Sequence, residues 1–251
     1  MLRVLLAPNP SPMTLLGTQT YLVGRERIAV IDPGPAITRH LDAIIAAVGD
    51  GVVTSVLLTH MHPDHADGAA ELSARLRAPL RSGDQGLRDS QPIDTDAGVL
   101  SALFTPGHTA DHYSFWWQKE DAIFCGDLMM GGLDTALVAP PEGDLGAYLA
   151  SLERLATLRP RVIYPAHGPA IDDPGAALER YTRHRLQREA QVLAGLQQQA
   201  MTEAQLTDHV YGTQLDQELQ PYARAAIDAY LEHLRKNGRV RRGHMGWERN
   251  L

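Results

Sequence analysis

The chain has 251 residues, 44% of them hydrophobic and 21% charged, an ordinary globular composition with length enough for a layered core. Its formal charge of −7 offers polyanions no general attraction, and its single cysteine, Cys125, allows neither an internal disulfide framework nor a CxxC-type zinc site. No apolar stretch approaches the roughly 20 residues of a membrane span, and the opening apolar run is too short for a signal peptide, so a cytoplasmic protein is expected.

In chain order, residues 20–23 and 28–31 read as two strands joined by a turn, and Asp32-Pro33-Gly34-Pro35 ends the second. Leu41, Ile44, Ile45 and Val48 recur at helical spacing, and Gly49 stops that helix. A buried strand over 53–58 leads into a histidine cluster, followed by a helix over 69–77. Strands are expected over 99–104, 112–117, 122–125 and 161–164. Between the last two, Asp144 can cap a helix running to 158, with Leu145, Leu149, Leu152 and Leu155 on one face. After about residue 173 the texture becomes helical. A polar helix over 176–199 is expected, then one opened by a Thr202/Gln205 capping box and one over 221–236 with Pro221 in its first turn. Arg239, Arg241, Arg242, Gly243, Gly246 and Trp247 suggest a small basic hairpin, and helices ending this way resemble a winged-helix module. Residues 1–175 carry a net −9 and residues 176–251 a net +2.

The chemistry concentrates in Thr59-His60-Met61-His62-Pro63-Asp64-His65. Imidazole nitrogens and carboxylate oxygens are donors that a borderline divalent ion such as zinc selects. Pro63 disfavours a helical conformation at His62 and suits the first turn of a helix. His60 and His62 should therefore lie on an extended segment, with Asp64 and His65 in the helical turn that follows. One short segment can then present two pairs of donors to two neighbouring ions. His108, Asp127 and His167 each follow an apolar run at a turn carrying Gly or Pro, where the sheet fixes the backbone and leaves the side chain free.

This ordered set resembles the metallo-β-lactamase superfamily over roughly residues 1–173. The resemblance implies an α/β fold, an αββα sandwich with a two-metal site, and a catalytic domain over 1–173. It also implies that His60, His62 and His108 bind one ion, that Asp64, His65 and His167 bind the other, and that Asp127 bridges them. Asp64 and Asp127 become the catalytic candidates, and Asp32 matches a carboxylate that orients ligand histidines. Gly17-Thr18-Gln19-Thr20-Tyr21-Leu22-Val23, Pro106-Gly107-His108-Thr109-Ala110-Asp111-His112 and Tyr164-Pro165-Ala166-His167-Gly168-Pro169 are similar to the β-lactamase-like protein 2 branch. That branch ends in a winged-helix-like domain, here 174–251. Gln19 stands where its pattern has Asn. His112 reads as a supporting residue, and Cys125 as a small core residue.

The implied function is a binuclear metal-dependent hydrolase using a metal-bridging hydroxide on an acyl ester, thioester or lactone, with two divalent ions, zinc foremost. Two alternatives stand beside it: an endoribonuclease acting on single-stranded RNA, and a non-catalytic metal-containing binding or sensor protein. The corresponding partners are a small acyl substrate or single-stranded RNA, with a homodimer possible in principle.

Overall fold

The computed structural model describes residues 1–250. Two five-stranded sheets form its centre. The first runs β1 (Leu2–Leu6), β2 (Gln19–Val23), β3 (Arg27–Ile31), β4 (Val52–Leu57) and β5 (Leu80–Arg81). Its first three strands are antiparallel, whereas β4 joins β3, and β5 joins β4, in parallel. The parallel step needs a crossover, which α1 (Thr38–Val48) supplies. The short α2 (Pro63–Ala66) and α3 (Ala69–Leu76) carry the chain from β4 to β5. The second sheet is built from β6 (Pro92–Thr95), β7 (Gly98–Phe104), β8 (Tyr113–Trp117), β9 (Ala122–Gly126) and β10 (Val162–Pro165), in the order β10-β9-β8-β7-β6. Helix α4 (Leu145–Leu158) bridges β9 to the parallel β10.

Strand alternation decides the layering. In β2 to β4, Tyr21, Val23, Ala29, Ile31 and Leu57 face the second sheet, meeting Leu100, Ala102, Phe115, Trp117 and Phe124. The intervening Leu22, Ile28, Val30 and Val56 face the other way, against Leu41, Ile44 and Val48 of α1 and Leu72 of α3. On the far side of the second sheet, Ile123, Cys125 and Ile163 meet Leu145, Tyr148, Leu152 and Leu155 of α4. Three apolar interfaces separate four layers, the expected αββα order.

The third interface continues without a break into α5 (Pro174–Gly195), α6 (Glu203–Tyr211), α7 (Gln220–Lys236) and the hairpin β11 (Val240–Gly243) and β12 (Gly246–Arg249). The α7 stripe Ala223, Ala226, Ile227, Tyr230, Leu231 and Leu234 has a helical period and is buried throughout. The capping box at Thr202 forms as expected, with the Thr202 hydroxyl accepting from Gln205 N at 3.3 Å and Gln205 Oε1 accepting from Thr202 N at 2.8 Å. Among the described residues no helix is long and apolar enough to cross a membrane.

Sequence patterning did not reveal β1, β5 or β6, for physical reasons. Strand β1 exposes Val4 and Leu6 at a sheet edge, β5 is two residues long, and β6 contains Pro92 and Asp94. The polar helix starts at Pro174 rather than Ala176, because Asp173 caps it by accepting from Ala176 N at 3.1 Å.

Candidate metal centre

The site lies where strand ends of both sheets meet. Strand β4 ends at Leu57, and the chain passes through Thr59 and His60 to His62, which is extended at φ −61°, ψ 143°. Pro63 then opens α2, so Asp64 and His65 turn inward. His108 follows β7, Asp127 follows β9 and His167 follows β10.

These side chains converge as two groups. His60, His62, His108 and Asp127 form one, and Asp64, His65 and His167 the other. In the first, His62 Nδ1 lies 2.9 Å from His60 Nε2 and 3.1 Å from His108 Nε2. In the second, Asp64 Oδ2 lies 3.5 Å from His65 Nε2 and 3.2 Å from His167 Nε2. Asp127 stands between them. Its Oδ1 is 3.4 Å from His65 Nε2 and 3.3 Å from His167 Nε2, while its Oδ2 is 3.6 Å from His108 Nε2.

The outer nitrogen of every one of these histidines has its own acceptor. His62 Nε2 donates to Glu142 Oε2 (2.8 Å), His65 Nδ1 to Asp32 Oδ2 (3.0 Å), His108 Nδ1 to Leu137 O (2.8 Å) and His167 Nδ1 to Gly17 O (3.2 Å). The Thr59 hydroxyl donates to Asp32 Oδ2 at 2.8 Å, so it accepts from His60 Nδ1 at 3.0 Å. In each neutral ring the inner nitrogen then carries the lone pair. Five lone pairs and two carboxylates aimed at one another repel unless a cation lies among them. The buried His65 Nε2 and Asp127 Oδ1 have no hydrogen-bond partner. The residues present therefore fit divalent cations, with an imidazole and carboxylate donor set and no thiolate.

The electrostatics agree. Burial, reinforced by His65, holds the His60 imidazole well below its ordinary pKa, and burial also lowers His108. Burial opposes charge on His65 too, but Asp127 and Asp32 outweigh it and raise the ring well above the ordinary value. His167 is raised to about 9 because its bonds to Asp127 and Asp64 overcome its burial. Asp127 is held well below the usual carboxylate range, its burial overridden by His65 and His167.

Backbone geometry supports the arrangement. Asp32 adopts φ 48° at the end of β3 and accepts from Thr59 N (2.8 Å) as well as from the Thr59 hydroxyl and His65. Gly126 has φ 51°, and a Cβ there would sit 2.7 Å from both Thr59 Oγ1 and His112 Nε2. Gln19 donates to Pro165 O (3.3 Å) and to Gly168 O, anchoring the turn that carries His167; an amide one methylene longer than Asn spans that distance.

His112 falls outside both groups. Its Nδ1 meets Thr105 Oγ1 at 3.0 Å, burial pushes its pKa down to about 3, and its ring lies 5.3 Å from that of His60. Cys125 is fully buried, and burial raises its thiol pKa. Sequence reasoning gave no part to Thr59 or Gly17 beyond their places in the motifs, nor to Glu142 or Leu137. Thr59 had a signal, a hydroxyl at the end of a buried strand beside His60. Glu142 is 80 residues from His62 and had none. On the open side, Met61, His62, Asp84, Thr109, Asp111 and Glu142 line a cavity of about 260 Å³.

Comparison with known proteins identifies the family. The metallo-beta-lactamase superfamily model matches residues 13–93 and 88–167, and the beta-lactamase associated winged helix domain matches 202–247. A beta-lactamase-like protein 2 homolog from Caenorhabditis elegans is 33% identical over 226 residues, covering 82% of this chain and 75% of its own. An atrochrysone carboxyl ACP thioesterase from Aspergillus chevalieri is 35% identical over 228 residues, covering 83% of this chain and 72% of its own. The crystal structure of a metallo-beta-lactamase family protein from Thermus thermophilus superposes with a TM-score of 0.77 at 26% identity, over 99% of this chain and 98% of that one. Sandwich, ordered histidines and C-terminal helices together place the chain in the metallo-beta-lactamase superfamily, with a beta-lactamase-associated winged-helix domain at its C-terminal end.

Proposed function

We propose that this protein is a metal-dependent hydrolase of acyl esters, thioesters or lactones. The observation that carries this reading is Asp127, whose two oxygens face two separate groups of ligating atoms. In this reading His60, His62 and His108 hold one cation, Asp64, His65 and His167 the other, and Asp127 both. The pair of ions, zinc by preference for an imidazole-rich set, would supply Lewis acidity and lower the pKa of a shared water toward neutrality.

The chain's own residues hold and orient. Asp32 and Thr59 fix the tautomers of His65 and His60, and Leu137 O, Gly17 O and Glu142 do the same for His108, His167 and His62. Burial of His60, His65 and His167 excludes bulk water from the inner face. No serine or cysteine nucleophile is required, and Cys125, buried on the helix-covered side of β9, has no part. Residues 1–173 are taken as the catalytic part and 174–251 as the helical part of this reading.

An acyl substrate is favoured over RNA by charge. Asp84, Asp111 and Glu142 line the open side, which repels a polyanion. Of the hairpin arginines, Arg239 meets Glu189 at 3.0 Å, Arg241 meets Glu248 at 2.8 Å and Arg242 meets Glu203 at 3.3 Å, so each charge is already met. The relative named as an acyl-carrier thioesterase supports the same class.

The test loads the full chain with zinc and follows release of thiol from an acyl thioester, beside cleavage of a single-stranded oligoribonucleotide, each with and without chelator. Thioester turnover that chelator abolishes is expected. Asp127→Ala should lose bound metal and turnover together, by about a hundred-fold or more, since even the outer partners of metal ligands are typically worth 10–100-fold. Full activity of Asp127→Ala with no metal bound would overturn the assignment.

A further inference from the structure

A second cavity, of about 330 Å³, lies between the C-terminal helices and the loops that support the metal centre. Its apolar wall includes Met130, Leu133, Leu137 and Tyr222. Two of its walls are also supports of the centre. Leu137 gives its carbonyl to His108, and Pro12 and Met13 belong to the loop ending at Gly17, whose carbonyl receives His167.

What distinguishes this cavity is uncompensated positive charge. Arg185 lines it, yet is only 3% exposed. Its partners are all neutral: Ala136 O, the Tyr230 hydroxyl at 3.5 Å and the face of the Tyr148 ring at 5.0 Å. Its Nε has no partner. Arg188, one helical turn further along α5, also lines the cavity. It contacts Val210 O (2.9 Å), Gln191 Oε1 (3.0 Å) and the Tyr211 ring (4.7 Å), again without a carboxylate. His184 beside them has a buried Nδ1 with no partner. The nearby Asp134 is engaged by Arg180 at 3.0 Å. Among the described residues, no acidic side chain pairs with Arg185 or Arg188. A guanidinium buried among neutral partners keeps part of its desolvation cost, which an opposite charge would offset.

We propose that this cavity is a binding site for an amphipathic carboxylate, an aromatic or acyl body with one anionic group. The body would lie against Met130, Leu133 and Tyr222, and the carboxylate would meet Arg188 and Arg185 as a fork of charge-assisted hydrogen bonds. The volume admits a ligand of one or two rings. The same chemistry could be the distal end of an acyl substrate or a free carboxylic acid acting beside the reaction.

The probe is 2-naphthoate, compared with uncharged 2-naphthamide, titrated into metal-loaded full-length protein by calorimetry. The carboxylate is expected to bind at least about ten-fold more tightly than the amide. Arg188→Met should remove that preference. Leu133→Asp, at a 41%-exposed position where folding is not at risk, should weaken the carboxylate about ten-fold and the amide far less. Equal affinities for the two probes, or no response to either variant in folded protein, would overturn the proposal. This arm requires no turnover, so it stands or falls apart from the hydrolase reading. Where thioester turnover is present, competitive inhibition by 2-naphthoate assigns the cavity to the substrate's acyl end, and non-competitive inhibition assigns it to a free acid.

Discussion

Replacing Asp32 with Asn changes one atom and tests the whole support of the centre. Asp32 is 2% exposed and accepts three hydrogen bonds, from Thr59 N at Oδ1 and from the Thr59 hydroxyl and His65 Nδ1 at Oδ2. An amide cannot reproduce this in either orientation. With its NH2 at the Oδ2 position, the Thr59 hydroxyl loses its acceptor and the His65 Nδ1–H faces a donor. The ring must then carry its proton on Nε2, the atom 3.4 Å from Asp127, and loses the lone pair that a cation needs. With the NH2 at the Oδ1 position, the buried Thr59 N–H loses its acceptor. Either way one buried donor goes unsatisfied, costing about 1–3 kcal/mol. Loss of the orienting partner should also weaken the cation at His65 by about 10–100-fold. Urea unfolding of metal-free protein measures the first quantity, and metal content after dialysis against graded chelator measures the second. Asp32→Asn protein that unfolds like wild type and retains both ions equally would refute the tautomer argument.

Gly126→Ala should destabilise the fold by about 2 kcal/mol or more, because φ is 51° and the new methyl meets Thr59 and His112 at 2.7 Å; urea unfolding checks it. Asp144 caps α4 through Ala147 N (2.8 Å) and meets Lys236 of α7 at 2.6 Å. The Lys236 contact and then the Ala147 bond hold its carboxyl below the ordinary value, so its contribution is complete above about pH 4 and lost as pH falls through that depressed pKa. Asp144→Ala should therefore cost about 1 kcal/mol at neutral pH, mostly from the cap since the ion pair is solvent-screened, and the gap from wild type should narrow in acid; stability measured from pH 7 down to 3 tests the sign. Cys125, fully buried with its thiol pKa raised, should react with a thiol reagent only when the protein unfolds, and rapid labelling of native protein would contradict its place in the core.

Much of this molecule was legible from the chain because local chemistry wrote it. The short apolar runs at 20–23, 28–31 and 53–58, bounded by turn residues, mark strands buried on both faces, and a layer follows on each side of the sheet they form. Pro63 separates an extended His60 and His62 from a helical Asp64 and His65 wherever that segment is placed. The candidate donors and their order were likewise readable, since each group sits at a turn that ends an apolar run, and the fold brings them together. Edge strands β1, β5 and β6 were not, because exposure, brevity and Pro92 remove the pattern by which strands are recognised.

What only the tertiary structure decided are relations between distant residues that no local pattern encodes. Glu142 on His62, the Leu137 and Gly17 carbonyls behind His108 and His167, and the neutral surroundings of the buried Arg185 all arise from contacts across 29 to 150 positions. The sequence alone determined which residues could bind a cation. Only folding decided which nitrogen of each ring faces inward, and where a positive charge was left without an opposite one, because tautomer and compensation depend on neighbours that arrive from elsewhere in the chain.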